Sequence, residues 1–230
     1  MYPIVAKKCL NPTVTMMDIA APLVARKAQA GQFIILRVDE DGERIPLTVA
    51  GYDRAAGTVR IIFQVVGATT EKLNHKQAGE SIQDFVGPLG EPTHLAGLKK
   101  VCIVGGGVGC AIALPIAEAL HAMGAEVHAI IGFRSRELLI LEDEFRAVSD
   151  RLTVMTDDGS YGSRGTVTVP LQAALTAGAA VVNFKLPAAV QVQPVFPLKL
   201  RKRVFGTWDH IPCSFPTAAS LRRGSLMRLL

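Results

Sequence analysis

Cysteine is scarce in this sequence, and its few occurrences lie far apart. Four cysteines are present among 230 residues, and none stands in a Cys-x-x-Cys pair. This spacing predicts free thiols in a reducing compartment rather than a disulfide framework.

No charged start followed by an apolar run opens the chain, so we expect no signal peptide and a cytoplasmic location. Residues 101–120 are apolar apart from Glu118, but their glycine cluster and Pro115 argue against a membrane span.

Acidic residues are nearly absent from the last fifty positions. From residue 180 onward, Asp209 is the single acid beside eight Lys or Arg, so this stretch carries +7 whereas the whole chain carries +5. Residues 1–179 are therefore close to neutral, at −2. Because the basic character belongs to the tail, we do not expect the folded part to bind nucleic acid.

The chain changes character near residue 97 and again near residue 178. The first ninety residues hold short β-branched or apolar runs between Gly and Asp turns, which indicates a small barrel or sandwich with one short helix near residues 70–75. Strands and helices then alternate, which indicates a doubly wound parallel sheet. We predict three regions: a β domain (1–97), an α/β domain (98–178) and a divergent tail (179–230) that supplies no clear further strand. The expected strands are 32–38, 45–50, 58–66, 101–104, 127–131 and 152–156, and the expected longer helices are 109–123, 141–149 and 166–177.

A glycine cluster follows the first strand of the predicted α/β domain. It reads Gly105, Gly106, Gly107, Val108 and Gly109. Such a turn lets the backbone approach a pyrophosphate, whose charge is favoured by the free N–H groups and dipole of the following helix. The spacing is not G-x-G-x-x-G, so the standard dinucleotide fingerprint is not met. A turn that only lets strand and helix pack tightly is the alternative.

Two polar loops follow the next two strands, at the edge of the sheet where ligands collect in such folds. Arg134 and Arg136 have the chemistry to clamp a ribose 2′-phosphate, which would favour NADP over NAD. Asp157, Asp158 and Gly159 follow the third strand. No further ligand lies at a suitable spacing from these acids, so we predict ribose contact there and no metal site. Solvated arginines and a plain turn are the respective alternatives.

Two short segments of the β domain also carry ligand-binding chemistry. Arg44 and Thr48 place a cation and a hydroxyl on one strand, and Pro46 indicates an irregular strand edge where the backbone is free to meet a ligand. The run from Gly67 to Thr70 predicts a helix start that receives phosphate, with a threonine as cap. The alternative for each segment is an ordinary capped turn.

Six segments in this order resemble the ferredoxin–NADP reductase superfamily. The similarity is particular to the small subunits of NADH-dependent reduced ferredoxin:NADP oxidoreductases, also described as sulfide dehydrogenase subunits. The dihydroorotate dehydrogenase electron-transfer subunits are relatives of these. The resemblance covers residues 2–178, and its segments are GQFIILRVDEDGERIPLT (31–48), FQVVGATTEKL (63–73), DFVGPLG (84–90), GGGVG (105–109), LLILEDE (138–144) and TDDGSYG (156–162).

The resemblance implies an FAD-binding antiparallel barrel followed by an NADP(H)-binding sheet, with electrons passing through FAD to a partner. Thr48 would be the catalytic residue, its hydroxyl near the reactive ring nitrogen of the flavin. A larger flavoprotein or iron–sulfur subunit is the implied partner, and a ferredoxin-type protein is an implied acceptor. The implied flavin contacts are Arg44, Pro46, Leu47, Thr48, Phe63, Gln64 and Val65, with Gly67, Thr69 and Thr70 on its pyrophosphate. The implied nucleotide contacts are Gly105, Gly106, Gly107, Val108 and Gly109, with Arg134 and Arg136 on its 2′-phosphate.

The sequence departs from the family in three respects. Ile45 stands where an arginine usually contacts the flavin, and Arg44 lies one position earlier. The expected last strand, with its Gly-Pro-x-x-Met-Met segment, is absent after residue 178. The cysteines that hold a 2Fe-2S cluster are absent there too, because Cys213 alone cannot replace about four ligands. We hypothesise that residues 179–230 come from a shifted reading frame or a divergent gene end. A truncated, non-catalytic flavin- or nucleotide-binding module is the alternative function.

Overall fold

The computed structural model of the protein describes residues 1–176 and 180–183. Its first part is a seven-stranded antiparallel sheet with two short helices. The strands are β1 (Tyr2–Asn11), β2 (Val14–Ala20), β3 (Phe33–Arg37), β4 (Arg44–Asp53), β5 (Thr58–Gln64), β6 (Ser81–Ile82) and β7 (Asp84–Leu89), and the helices are α1 (Pro22–Lys27) and α2 (Ala68–His75).

The two outermost strands of this sheet are consecutive in the chain, so the sheet curls into a nearly closed barrel. The strand order is β6-β1-β2-β5-β4-β3-β7, and only Gln83 separates β6 from β7. Side chains alternate along each strand, so one half of them fills the interior. Ile34 and Leu36 of β3 and Val59 and Ile61 of β5 are fully buried there. The predicted antiparallel barrel is confirmed.

The second part is a five-stranded sheet in which all pairings are parallel. Its order is β11-β10-β9-β8-β12. The strands are β8 (Lys100–Gly106), β9 (Glu126–Phe133), β10 (Arg151–Thr156), β11 (Ser163–Arg164) and β12 (Ala180–Asn183), and the helices are α3 (Cys110–Ala122), α4 (Glu142–Ala147) and α5 (Thr168–Thr176).

Helices cover both faces of this sheet, as the predicted doubly wound architecture requires. Phe145 of α4 is buried on one face in the same cluster as α3. Leu171 and Ala174 of α5 are buried with Cys102 and Ile130 in a separate cluster. The chain therefore winds in one direction from β8 to β10 and returns on the other side of β8 with β12. The strand order reverses at the carboxyl end of β8, which is where open α/β sheets bind ligands.

Strand β12 corrects one expectation. We expected no clear strand after residue 178, but Ala180–Asn183 pairs in parallel with Val101–Val104 of β8. Residues 180–183 could not be assigned to a strand from their sequence, because a run of four residues is too short to show helical or strand periodicity. The rest of the tail, including Cys213 and the residues on which the reading-frame hypothesis depends, lies outside the described residues.

The outer face of the barrel packs against the α/β domain through apolar side chains. Val14, Ala50 and Ile62 of the barrel are buried in the same cluster as Leu114 and Ala117 of α3. None of the helices within residues 1–176 is long and apolar enough to cross a membrane.

Candidate functional site

Strands β4 and β5 separate at one end of the barrel. Their pairing runs from Asp53↔Thr58 to Val49↔Ile61 and then stops. Beyond that point, residues 44–48 pair with β3, and residues 62–64 pair with β2. A gap therefore opens between two strands whose facing backbone groups are not paired to each other.

Pro46 lies on the free edge of this gap. The Val49 N–H donates to the carbonyl of Gln32 on the β3 side at 3.0 Å. Because backbone donors alternate along a strand, the nitrogens of Pro46 and Thr48 face away from β3, towards the gap. Proline has no N–H, so its placement here costs no pairing with β3. Pro46 thus pairs with Ile35 of β3 on one side and lies on an unpaired strand edge on the other.

The predicted flavin-contacting side chains do not all face the gap. Leu47, Phe63 and Val65 point into the barrel core. By alternation, Thr48 and Gln64 lie on the outer face, the same face as Ala50 and Ile62 that packs against the α/β domain. A ligand in the gap would therefore meet the side chains of Pro46, Thr48 and Gln64, but only the backbone of the inward-facing residues.

Arg44 is held beside a carboxylate at the rim of the same face. Its Nη2 lies 3.6 Å from Asp84 Oδ2, and the Nε of Arg37 lies 2.7 Å from the same oxygen. The Arg44 side chain is 63% exposed. It remains open to an anionic group, although part of its charge is balanced by Asp84.

The N-cap residue of α2 is Gly67 rather than a threonine, and Thr70 at the third helical position stabilises the helix start instead. The Thr70 hydroxyl accepts the N–H of Val66 at 3.0 Å and of Gly67 at 3.1 Å, and it donates to the Gly67 carbonyl at 2.8 Å. A Cβ added to Gly67 would meet no atom within 4 Å. Thr70 therefore serves the helix, while the backbone at Gly67 stays open to an approaching group.

An acidic loop approaches the other threonine of this segment. The Thr69 hydroxyl donates to Glu43 Oε2 at 3.2 Å, and a cavity of about 300 Å³ lies between α2 and the loop of residues 39–43. Lys72 contacts Asp39 at 2.5 Å and keeps the pKa of that carboxyl below its ordinary value. The loop is thus fastened to the helix start.

The glycine turn divides into a packing position and an open position. A Cβ at Gly105 would lie 3.0 Å from Cys110 Sγ and 3.1 Å from Cys110 Cα, so this glycine lets β8 and α3 approach closely. Gly107 has a φ of +52°, and a Cβ there would meet no atom within 4 Å. The packing interpretation therefore applies to Gly105, whereas Gly107 has the open surroundings that the binding interpretation requires.

The open end of this turn lies next to the end of the barrel gap. The turn of residues 107–109 contacts strand β5, which ends in Phe63 and Gln64. It also stands at the carboxyl end of β8, where the strand order reverses. The segments predicted to bind flavin and nucleotide are thus adjacent in space although about forty residues separate them in the chain.

The two polar loops at the same sheet edge form one unit. The Asp158 N–H donates to the Arg134 carbonyl at 3.2 Å, and the Arg136 N–H donates to Ser160 Oγ at 2.8 Å. Ser160 donates through both its N–H and its hydroxyl to Asp158 Oδ1, and these bonds lower the pKa of that carboxyl. The Asp158 carboxylate is therefore used in hydrogen bonds within the loop, whereas the Asp157 side chain is exposed. Gly159 has a φ of +77°, which glycine adopts without strain and which permits the turn.

Sequence reasoning missed a network that supports Arg136. Its guanidinium lies 5.5 Å from the ring centroid of Tyr161, and the Tyr161 hydroxyl donates to Glu142 Oε1 at 2.9 Å. Glu142 also pairs with Arg146 at 2.6 Å, and the hydrogen bond that Glu142 accepts from Tyr161, together with its charge, raises the pKa of the Tyr161 hydroxyl. Tyr161 and Glu142 lie inside two of the six resembling segments, which was the available signal. Arg134 is exposed and forms no ion pair with another residue of the described part.

The cysteines in the described part do not converge. Cys9 is exposed on the barrel, whereas Cys102 and Cys110 are buried in the α/β domain. Burial raises the pKa of the Cys102 thiol to about 11 and raises that of Cys110 as well. Among residues 1–176 there is no group of three or more Cys, His, Asp or Glu side chains with a metal-binding arrangement.

A larger cleft, of about 640 Å³, lies away from all these segments. It is lined by Arg26 and Arg54 of the barrel and by Ala119 and Met123 near the end of α3. Since α3 has 13 residues, this end lies about 20 Å from the glycine turn. None of the predicted site residues lines this cleft.

Comparison with known proteins finds relatives that match most of the chain. No family model matches it. Over 183 residues the chain is 34% identical to the dihydroorotate dehydrogenase B (NAD(+)) electron transfer subunit of Enterococcus faecalis, covering 77% of this chain and 69% of that protein. Over 150 residues it is 47% identical to the homologue of that subunit in Thermotoga maritima, covering 65% of this chain and 53% of that protein. The chain thus spans little more than half the length of the Thermotoga relative.

A solved structure of an NADH-dependent reduced ferredoxin-NADP oxidoreductase, described in connection with flavin-based electron bifurcation, is also similar. It matches with a TM-score of 0.72 and 41% sequence identity, over 76% of this chain and 63% of that chain. These matches confirm the resemblance that the six segments indicated.

Proposed function

The chain belongs to the family of dihydroorotate dehydrogenase electron-transfer subunits within the ferredoxin–NADP reductase superfamily, and on this basis we propose that it binds FAD and NADP(H) and passes electrons to a partner redox protein. The observation that carries the proposal is the contact between the turn of residues 107–109 and strand β5, together with the packing of Val108 against the cluster that contains Ile62 of that strand. This contact brings the barrel gap next to the glycine turn, as two rings that exchange a hydride require.

The barrel gap fits a flat ring system. It offers unpaired backbone edges on β4 and β5 and the outer-face side chains of Pro46, Thr48 and Gln64. FAD, when bound there, would supply the redox chemistry, while the protein supplies binding, orientation and exclusion of water. The Thr48 hydroxyl would donate a hydrogen bond to the ring edge, and Arg44 at the rim would balance negative charge.

The start of α2 fits the pyrophosphate of the same cofactor. Gly67 leaves its backbone open, and the first amides of the helix have no partner within their own helix. Thr70 keeps the helix start in place, and the Thr69 hydroxyl would exchange Glu43 for a phosphate oxygen. The negative charge of the phosphates is favoured by the dipole at the helix start.

The sheet edge fits a nicotinamide nucleotide. The open backbone at Gly107 and the start of α3 would receive its pyrophosphate, and Asp157 would contact a ribose hydroxyl. Arg134, exposed and without an ion pair within residues 1–176, would bind the 2′-phosphate together with Arg136. A phosphate held by two guanidinium groups would favour NADPH over NADH.

The proposed partner is a larger flavoprotein or iron–sulfur subunit, and the proposed acceptor, by family analogy, is a ferredoxin-type protein. A 2Fe-2S cluster does not fit the cysteines of the described part, because it needs about four ligands and these three cysteines do not form a metal-binding group. We therefore derive no electron-transfer step through such a cluster.

Spectroscopy of the purified chain with FAD tests the proposal. We expect flavin absorbance that is retained on desalting and that bleaches when NADPH is added without oxygen. The double variant Arg134→Gln/Arg136→Gln should bleach about tenfold more slowly with limiting NADPH and at an unchanged rate with NADH, which serves as the matched control. A folded chain that takes up no FAD would contradict the proposal. A yellow chain that NADPH does not bleach would instead support the non-catalytic binding module.

A further inference from the structure

A single asparagine side chain joins the barrel to the α/β domain. Asn11 ends β1 and is 9% exposed. Its Oδ1 accepts the N–H of Thr13 at 2.9 Å and the Thr13 hydroxyl at 3.2 Å, while its Nδ2 donates to the carbonyl of Leu138 at 3.0 Å. Among the residues that the structure describes, the bond from Asn11 Nδ2 to Leu138 is the only side-chain hydrogen bond that joins residues 1–97 to residues 98–176.

Both ends of this connection lead to the proposed binding segments. The Thr13 carbonyl accepts the N–H of Val65, directly after the end of β5, at 2.8 Å. Leu138 closes the short turn of residues 136–138 that carries Arg136. The turn between β1 and β2 is therefore hydrogen-bonded to Val65, beside the barrel gap, and to Leu138. Leu138 belongs to residues 134–138, which carry Arg134 and Arg136 and are called the nucleotide loop below.

The buried part of the remaining contact is apolar and therefore non-directional. Arg60 of the barrel, which pairs with Asp18, adds only a longer-range charge interaction with Glu118 of α3. Apolar packing holds two surfaces together but does not by itself fix how one is shifted along the other. A hydrogen bond has a narrow range of distance and angle, and a nine-tenths buried one is protected from competing water.

We propose that Asn11 is a positioning residue that sets the spacing between the barrel gap and the nucleotide loop. The inference rests on the proposed function for its consequence in catalysis, but the connection itself is independent of any cofactor. Loss of the Nδ2–Leu138 bond would let the loop with Arg134 and Arg136 move relative to β5.

The variant Asn11→Asp isolates this bond. A carboxylate still accepts both bonds from Thr13, but it cannot donate to the Leu138 carbonyl and places a second acceptor against it. Asn74→Asp is the matched control, because the Asn74 Oδ1 accepts the Thr15 hydroxyl at 2.7 Å within the barrel and an aspartate keeps that bond. Both variants make the same change of charge.

Hydrogen–deuterium exchange of the chain without cofactors is the first measurement. We expect the amides of Leu138 and Leu139 to exchange about fivefold faster in Asn11→Asp and at the original rate in Asn74→Asp. In the presence of FAD, the NADPH concentration for half-maximal bleaching should rise about fivefold in Asn11→Asp, whereas the FAD dissociation constant should stay unchanged.

Equal exchange at Leu138 and Leu139 in the two variants would overturn the proposal. If Asn11→Asp does not fold, Asn11→Ser answers the same question, because serine can accept from Thr13 but is too short to reach Leu138. Failure of every variant and of the original chain to bind FAD would refute the proposed function alone, since the exchange comparison needs no cofactor.

Discussion

Separate alanine substitutions at Gly105 and Gly107 should distinguish packing from ligand access in the glycine turn. A Cβ at position 105 would lie 3.0 Å from Cys110 Sγ and 3.1 Å from Cys110 Cα. The second of these atoms belongs to the backbone, so β8 and α3 must move apart, and overpacking of this kind costs about 1–3 kcal/mol. At position 107 the added Cβ meets no atom, but a φ of +52° costs an alanine about 1–2 kcal/mol.

Gly124→Ala is the matched control for the backbone strain. Gly124 has a φ of +76° and equally open surroundings, and it lies beyond the other end of α3. Urea unfolding should therefore show a similar loss of stability in Gly107→Ala and Gly124→Ala, and a loss of about 1–3 kcal/mol in Gly105→Ala.

Nucleotide binding then separates the two positions in the turn. The dissociation constant of NADPH should rise at least about tenfold in Gly107→Ala, because the new methyl group occupies the place of closest approach. It should change less than about threefold in Gly105→Ala and Gly124→Ala at temperatures where each is folded. NADPH binding by Gly107→Ala that equals binding by Gly124→Ala would refute our assignment of the open position.

Two further predictions concern titratable groups. Cys9 should react with a thiol reagent at pH 8 within minutes, whereas Cys102 and Cys110 should react only on unfolding, because burial raises the pKa of both thiols. Peptide mass spectrometry would measure the labelling rate of each cysteine. Labelling of Cys110 as early as Cys9 would contradict its burial. Burial also lowers the pKa of His128 from its ordinary value of 6.5, so below about pH 6.5 the unfolded chain binds more protons there and stability should fall as the pH falls. Gln is not protonated in this range. The urea midpoint of His128→Gln should therefore fall less between pH 7.5 and pH 5.5 than that of the original chain. An equal fall in both would exclude His128 as the source of the pH dependence.

The sequence predicted the middle of the barrel better than its first strands. β3, β4 and β5 have clear β-branched runs between turns, and their predicted limits lie within a few residues of those observed. β1 and β2 were covered only by the general expectation of β structure. Their pairing contains register shifts between Ile4 and Ala6 and between Cys9 and Asn11, which interrupt the alternation on which a strand prediction depends.

The candidate site was predicted as separate segments, not as an arrangement. The segments themselves were visible, because glycines, paired charges and a proline within a strand have local physical causes. Which side chains face inward was not visible: Phe63 lies in the barrel core and Leu47 packs against it, so each would meet a flavin in the gap through its backbone. The bond between Asn11 and Leu138 joins residues 127 positions apart. The Asn-Pro-Thr sequence predicts a turn whether or not this distant contact exists, so the bond could not be predicted from it.

The closure of the barrel at Gln83 also orders events during synthesis on the ribosome. Every strand of the barrel has been made once residue 89 is available, whereas the parallel sheet waits for residue 183 before β12 can join β8. Domains fold as units as the chain emerges, the N-terminal one first. A nascent chain would therefore carry a finished barrel while its neighbour still lacks a strand, and the flavin would be the first cofactor that the growing protein could take up.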